Sequence, residues 1–233
     1  MYSLFLNFFQ KFDNFLSYLT GNSCDEKAFL ISKFKKKKIS FIDIGANTGS
    51  FSDLILNNFN VKKAYLYEPS SSCFNFLIKK FGKIKTIKII NIGLSNQKKN
   101  KMFYDYKLSS QSSLYQLNKN FSYLSDINKK YLCKFDRFDN LNKKLRSVDL
   151  CKIDAQGEDF NILLGMINTL KKKKIKIIKI EVTFINYYKK NEAKYLKILN
   201  YLAANKYELI NISRIKYLHD QIAFCDAYFE LQK

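Results

Sequence analysis

Asp43-Ile44-Gly45-Ala46-Asn47-Thr48-Gly49 is the stretch that decides the fold. It ends the apolar run Ile39–Ile44, which reads as a buried strand, and leads into Phe51–Phe59, which reads as a helix. Gly45 and Gly49 remove side chains at a junction where backbone turns sharply and approaches a ligand. A dinucleotide site requires G-x-G-x-x-G, with helix amides on a pyrophosphate. Here Asn47 replaces the middle glycine, and Asp43 opens the motif with an acid.

Glu68-Pro69 closes the next strand, Ala64–Tyr67, 23 residues after Gly45. In nucleoside-binding α/β folds an acid at this place accepts hydrogen bonds from the ribose hydroxyls. Pro69 fixes the chain direction out of the strand. A carboxylate at Asp43 repels pyrophosphate and suits a cationic ligand; the sulfonium and amino groups of S-adenosylmethionine meet that requirement. The structural alternative is a turn glycine pair and a helix-capping acid.

Further out, strands and helices alternate. A helix is expected near Cys73–Phe81, a wet-sided edge strand at Thr86–Ile92, and extra strands at Met102–Tyr106 and Tyr131–Phe135 around a Ser-rich loop. Val148–Ile153 is the fourth main strand, followed by a helix near Phe160–Leu170 and the strand Ile175–Val182. In that last strand Lys176 and Lys179 fall on opposite faces, which suits a doubly covered strand poorly. Glu192–Asn205 is a helix with Tyr195, Leu196, Leu199 and Leu202 on one face. Tyr207–Ile212 and Ile222–Leu231 close the chain as an antiparallel pair. The pattern implies a mostly parallel sheet with helices on both faces. Ligands bind such sheets at the carboxyl ends of strands, so chemistry belongs in the loops after the first, second and fourth strands.

The fourth strand delivers Asp149-Leu150-Cys151-Lys152-Ile153-Asp154-Ala155-Gln156-Gly157-Glu158-Asp159. Asp154 sits at its carboxyl end, as a general base or a group that orients an acceptor; a helix N-cap is the structural alternative. Asp139 and the lone histidine, His219, are weaker candidate bases, and His219 reads first as a plain loop residue. Ser109, Ser110, Ser112 and Ser113 either line an acceptor pocket or are ordinary loop composition.

D-I-G-A-N-T-G-S-F-S, Y-E-P-S, R-F-D, D-L-C-K-I-D-A-Q-G-E-D, I-E-V and C-D-A-Y-F, in that order from Phe41 to Phe229, resemble the FkbM-type methyltransferases. The resemblance implies a Rossmann-like, class I methyltransferase fold: a mostly parallel seven-stranded sheet with an antiparallel last strand and helices on both faces. It implies S-adenosylmethionine as cofactor, contacted by Asp43, Gly45, Ala46, Asn47, Gly49, Glu68 and Pro69. It implies methylation of a hydroxyl on a sugar or another small molecule or glycan. Three positions depart from the family pattern. Asp159 stands where a Glu is usual, Glu158 where the residue is small or His, and Ser71 where a Pro is common. The departures touch the acceptor side and not the cofactor motif.

The chain has 233 residues, 47% of them hydrophobic, which suits one α/β domain with an added arm. The arm is placed at 1–36, as an N-terminal helical segment, and the methyltransferase domain at 37–233. The aromatic stripe Phe5, Phe8, Phe9, Phe12, Phe15, Leu16 and Leu19 packs on the domain, on a second copy, over the substrate or on a membrane surface. No transmembrane span is visible. The run Lys35–Lys38 is a solvated connection or a phosphate-binding patch.

A net charge of +21 admits an anionic partner, whether nucleic acid, lipid or acidic glycan, and thus an anionic acceptor. The cations are nearly all lysine, the exceptions being Arg137, Arg146 and Arg214. Abundant Ile, Asn, Phe and Tyr share AT-rich codons with Lys, so composition bias explains the charge as well. Base methylation favours D/N-P-P-Y/F after the fourth strand, whereas this chain has D-A-Q-G, which counts against a nucleic-acid methyltransferase. A non-catalytic binding protein on the same fold predicts a damaged cofactor motif, and this one is intact. Five widely spaced cysteines without C-x-x-C read as reduced thiols of a cytoplasmic protein. One histidine argues against a His-based zinc site, while an acid-only magnesium site stays open.

Overall fold

A computed structural model describes residues 25–35, 37–124, 126–189, 191–218 and 220–232. The aromatic stripe of the first 20 residues, Lys36 and His219 lie outside the described residues. Ten strands are described: β1 (Ile39–Ile44), β2 (Val61–Tyr67), β3 (Ile87–Ile90), β4 (Gly93–Leu94), β5 (Lys99–Tyr106), β6 (Ile127–Asp136), β7 (Val148–Ile153), β8 (Ile175–Thr183), β9 (Tyr207–Leu218) and β10 (Gln221–Leu231). The helices are α1 (Glu26–Phe34), α2 (Ser50–Asn58), α3 (Ser71–Phe81), α4 (Phe138–Leu141), α5 (Asp159–Gly165), α6 (Ile167–Lys171) and α7 (Tyr195–Ala204).

Seven strands form one sheet in the order β3-β2-β1-β7-β8-β10-β9. β3, β2, β1, β7 and β8 run parallel, and β10 is antiparallel to both β8 and β9. The order reverses between β1 and β7, which places the crevice for ligands at the ends of those strands. This is the Rossmann-like arrangement expected, with β3 at the edge. The period of two in β1 explains its burial on both faces. Phe41 joins Phe29 and Leu30 of α1, Ile55 of α2 and Leu77 of α3, while Ile42 and Ile44 join Phe138 of α4, Leu163 of α5 and Leu202 of α7. The described part of the segment 1–36 is therefore packed into the core through α1.

A second sheet, β4-β6-β5, inserts between β3 and β7 and carries the Ser-rich loop. The helix expected across 160–170 is two helices. Asp139 accepts hydrogen bonds from the N–H groups of Asn168 and Thr169 and from Thr169 Oγ1, so it caps the start of α6. The two lysines of β8 are also explained. Lys176 is exposed and pairs with Asp149, whereas Lys179 is buried between Glu26 and Asp226. Cys73, Cys133, Cys151 and Cys225 are buried free thiols.

Candidate active site

A cleft of about 480 Å³ opens at the carboxyl ends of β1, β2 and β7. Its floor is the turn after β1. Gly45 has φ +72°, and a Cβ there would fall 2.0 Å from the carbonyl oxygen of Asp154. Gly49 has φ +82°, with the Phe81 ring 2.5 Å from the place of its missing Cβ. Both positions thus require glycine on conformation and on space. Asn47 between them also takes a left-handed φ of 49°, which Asn tolerates better than most residues.

Glu68 fastens this turn to the next loop. Its Oε2 accepts the Asn47 N–H at 2.7 Å and its Oε1 the Ser70 N–H at 2.8 Å. A carboxylate oxygen accepts more than one hydrogen bond, and Glu68 lines the cleft with Ala46, Asn47 and Pro69. Burial pushes its carboxyl up to about 7, against the opposing pull of the two amides.

Asp43 does not line the cleft. It is wholly buried, with Oδ2 accepting from Ser52 Oγ at 2.7 Å and Oδ1 facing Lys152 Nζ at 3.2 Å. The expected direct contact with a cationic ligand is corrected accordingly: Asp43 braces the turn from beneath. Lys152 completes the brace by donating to the Gly45 carbonyl at 2.8 Å, and its Nζ stands 3.6 Å from Asp154 Oδ2. Burial opposes the Lys152 charge, but Asp43 and Asp154 outweigh it and raise the ammonium above its ordinary range.

Asp154 faces the cleft beyond Gly45. Gln156 Nε2 donates to its Oδ1 at 2.7 Å, and Arg214 Nη2 lies 3.7 Å from its Oδ2. Burial works to raise its carboxyl, yet Lys152 and Arg214 prevail and hold it below the usual range. The neighbouring Glu181 goes the other way. Burial, then Asp154, Asp159 and Asp226, push it well above a free glutamic acid. The strand ends thus carry a file of charges, Glu26, Lys179, Asp226, Arg214, Asp154, Lys152 and Asp43, in which each sign neighbours its opposite.

Above Asp154, Tyr188 donates to Gln156 Oε1 at 2.7 Å and Ser113 to the Gln156 carbonyl at 2.6 Å. Ser109, Ser110 and Ser112 line the cleft beside Tyr187 and Tyr188. Asp159 fastens the loop after β7, accepting the N–H groups of Ala155 and Gly157. Glu158 is buried among Ser95, Lys101, Tyr115 and Asn161. Asp139 is outside the cleft, because both its oxygens cap α6. Among the described residues no cluster of His, Cys, Asp and Glu is arranged to hold a metal. None of their helices is long and apolar enough to cross a membrane.

The sequence matches the Methyltransferase FkbM domain over residues 43–209. The structure of methyltransferase FkbM from Methylobacillus flagellatus KT is similar with a TM-score of 0.53 and 13% identity, over 82% of this chain and 43% of that one. The chain thus spans less than half the length of that protein. Precorrin-6y C5,15-methyltransferase from Geobacter metallireducens gives 0.49 and 12%, over 88% of each chain. TrmK from M. capricolum, in complex with S-adenosyl-homocysteine, gives 0.48 and 16%, over 90% of this chain and 69% of that one. No curated protein sequence matches the chain. The domain match takes in well over half of the residues, and the chain belongs to the FkbM methyltransferase family.

Proposed function

We propose that this protein is an S-adenosylmethionine-dependent O-methyltransferase whose acceptor is a hydroxyl on a sugar or another small molecule or glycan. One juxtaposition carries the reading: Glu68 and Asp154 line a single cleft on either side of the turn that begins at Gly45. S-adenosylmethionine, as cofactor, supplies an activated methyl group. The residues present fit it. The turn leaves no room for a side chain at Gly45, and Glu68 keeps acceptor capacity toward the cleft.

Glu68 would hold the ribose hydroxyls, and the backbone of Gly45–Asn47 would lie against the rest of the nucleoside. Asp154, kept ionised by Lys152 and Arg214, takes the acceptor proton as the oxygen is methylated. A carboxylate of low basicity suffices, because a hydroxyl oxygen that is gaining its third bond, to the methyl carbon, becomes oxonium-like and strongly acidic. Gln156 fixes Oδ1 of Asp154, and the roof of Tyr187, Tyr188 and the Ser-rich loop limits water. Much of the rate then comes from holding two reactants in a near-attack geometry. A nucleic-acid acceptor is the alternative, supported by the +21 charge and opposed by the D-A-Q-G loop.

Incubation with S-adenosylmethionine labelled in its methyl group, against a panel of sugars, glycans and RNA, tests the acceptor class. Label on a hydroxyl oxygen is expected; label on nitrogen or carboxylate overturns the proposal.

A further inference from the structure

Arg214 is held in a conformation that an arginine rarely adopts. Its φ is +49°, and it sits in a bulge of β9: Ser213 pairs with Asp226 and Lys216 with Phe224, so Arg214 and Ile215 oppose the single residue Cys225. Bulges next to active sites re-aim side chains, and a left-handed non-glycine residue persists only where its surroundings enforce it. Here the enforcing partner is Asp226, wholly buried: its Oδ1 accepts a hydrogen bond from Nη2 at 3.0 Å, and its Oδ2 stands 2.9 Å from Nε as an ion pair. Glu181 and Asp154 approach the same Nη2 at 3.4 and 3.7 Å. Nη1 makes no hydrogen bond among the described residues, and the side chain remains 44% exposed on the cleft wall.

Two further observations point to a ligand. Lys216, next on the same wall, is exposed and makes no ion pair among the described residues. Composition makes the arginine itself informative. In a chain whose cations are nearly all lysine, Arg137 bonds two carbonyls and Arg146 is on the surface, which leaves Arg214 as the arginine in the cleft. A planar fork matters where an oxyanion is to be gripped with direction.

We propose that Arg214 and Lys216 form an anion-binding subsite at the acceptor end of the cleft, which selects a methyl acceptor carrying a carboxylate or a phosphate. The proposal rests on the acceptor assignment above and narrows it. Buried Asp226 anchors one edge of the guanidinium, the other edge meets the acceptor's anion together with Lys216, and the reacting hydroxyl lies beside Asp154.

The test is calorimetry on the full chain saturated with S-adenosyl-homocysteine, titrated with inorganic phosphate, glucuronate, glucose 6-phosphate and glucose. The expected result is binding of phosphate, and about tenfold or greater preference for the anionic sugars over glucose, weakened by salt. Lys216→Gln should cut that preference severalfold with an unchanged melting temperature, and Arg214→Lys, which keeps the charge and loses the fork, should cut it as well. No phosphate binding, equal affinity for charged and neutral sugars, or a preference untouched by both substitutions overturns the subsite. Failure of S-adenosyl-homocysteine to bind is a separate outcome: it sinks the cofactor reading, and the phosphate titration still judges the anion site.

Discussion

The carboxylate of Glu68 accepts the backbone N–H of Asn47 at 2.7 Å, so the acid that ends β2 and the glycine turn that follows β1 are one unit. The same side chain holds the Ser70 N–H with its other oxygen. Glu68→Ala is therefore expected to act twice. Cofactor affinity should fall by roughly 1–3 kcal/mol, the scale of lost charge-assisted hydrogen bonds. Stability should fall as well, by about 1–3 kcal/mol, as the two amides lose their acceptor. Calorimetric titration and denaturant unfolding separate the two effects; an alanine variant that is fully stable and binds as tightly as wild type contradicts both.

Glu68 also sets a pH dependence. Its carboxyl is raised to about 7 in the folded chain, mainly by burial, and that of Asp159 to about 6. Between the unfolded values near 4 and these folded values, the native state binds more protons than the unfolded state. The stabilisation is present at low pH and lost as pH rises through 6 to 7. The unliganded protein should therefore melt at lower temperature at pH 8 than at pH 5.5. Cofactor binding through donors on the ribose favours ionised Glu68, so affinity should rise over the same window, with proton release. Glu68→Gln should flatten the binding curve, and an unchanged slope in that variant removes the assignment.

Lys152 is the cation on which the floor of the cleft depends. Lys152→Met leaves Asp43 buried without its countercharge and the Gly45 carbonyl without its donor. A loss of about 3–5 kcal/mol is expected, the scale for breaking a buried pair from one side. The double variant Asp43→Asn/Lys152→Met should recover part of that loss in denaturant unfolding. No recovery would mean that the pair is not coupled.

Asp154→Asn keeps the shape of the side chain and removes its basic oxygen. Cofactor affinity should stay near wild type while turnover falls by about tenfold to several thousandfold. Turnover within twofold of wild type would leave Asp154 as a structural cap of the loop after β7.

The sequence made the scaffold legible because its signals are local. The run Ile39–Ile44, the glycines at 45 and 49, and Glu68-Pro69 each act within a few residues of themselves, and the sheet arranges them at one edge. What stayed hidden is contact between distant segments. Asp43 reads as a ligand-facing acid until Lys152, 109 positions later, is seen beneath the same turn. Lys152 itself, a charge inside an apolar strand and between two acids, was the available clue. Lys179 looked misplaced in β8 because its partners, Glu26 and Asp226, come from α1 and β10. Asp139 reads as a base until α6 brings its N-terminus to it. Arg214 carried no local signal, since a bulge depends on how two strands pair and not on either one alone.

The most direct measurement of the central claim is a calorimetric titration of the full chain with S-adenosylmethionine, S-adenosyl-homocysteine and NAD. The turn with Asn47 in place of a middle glycine, and Glu68 bound to it, predicts that the first two bind and that NAD binds much more weakly or not at all. Preferential binding of NAD would contradict the account.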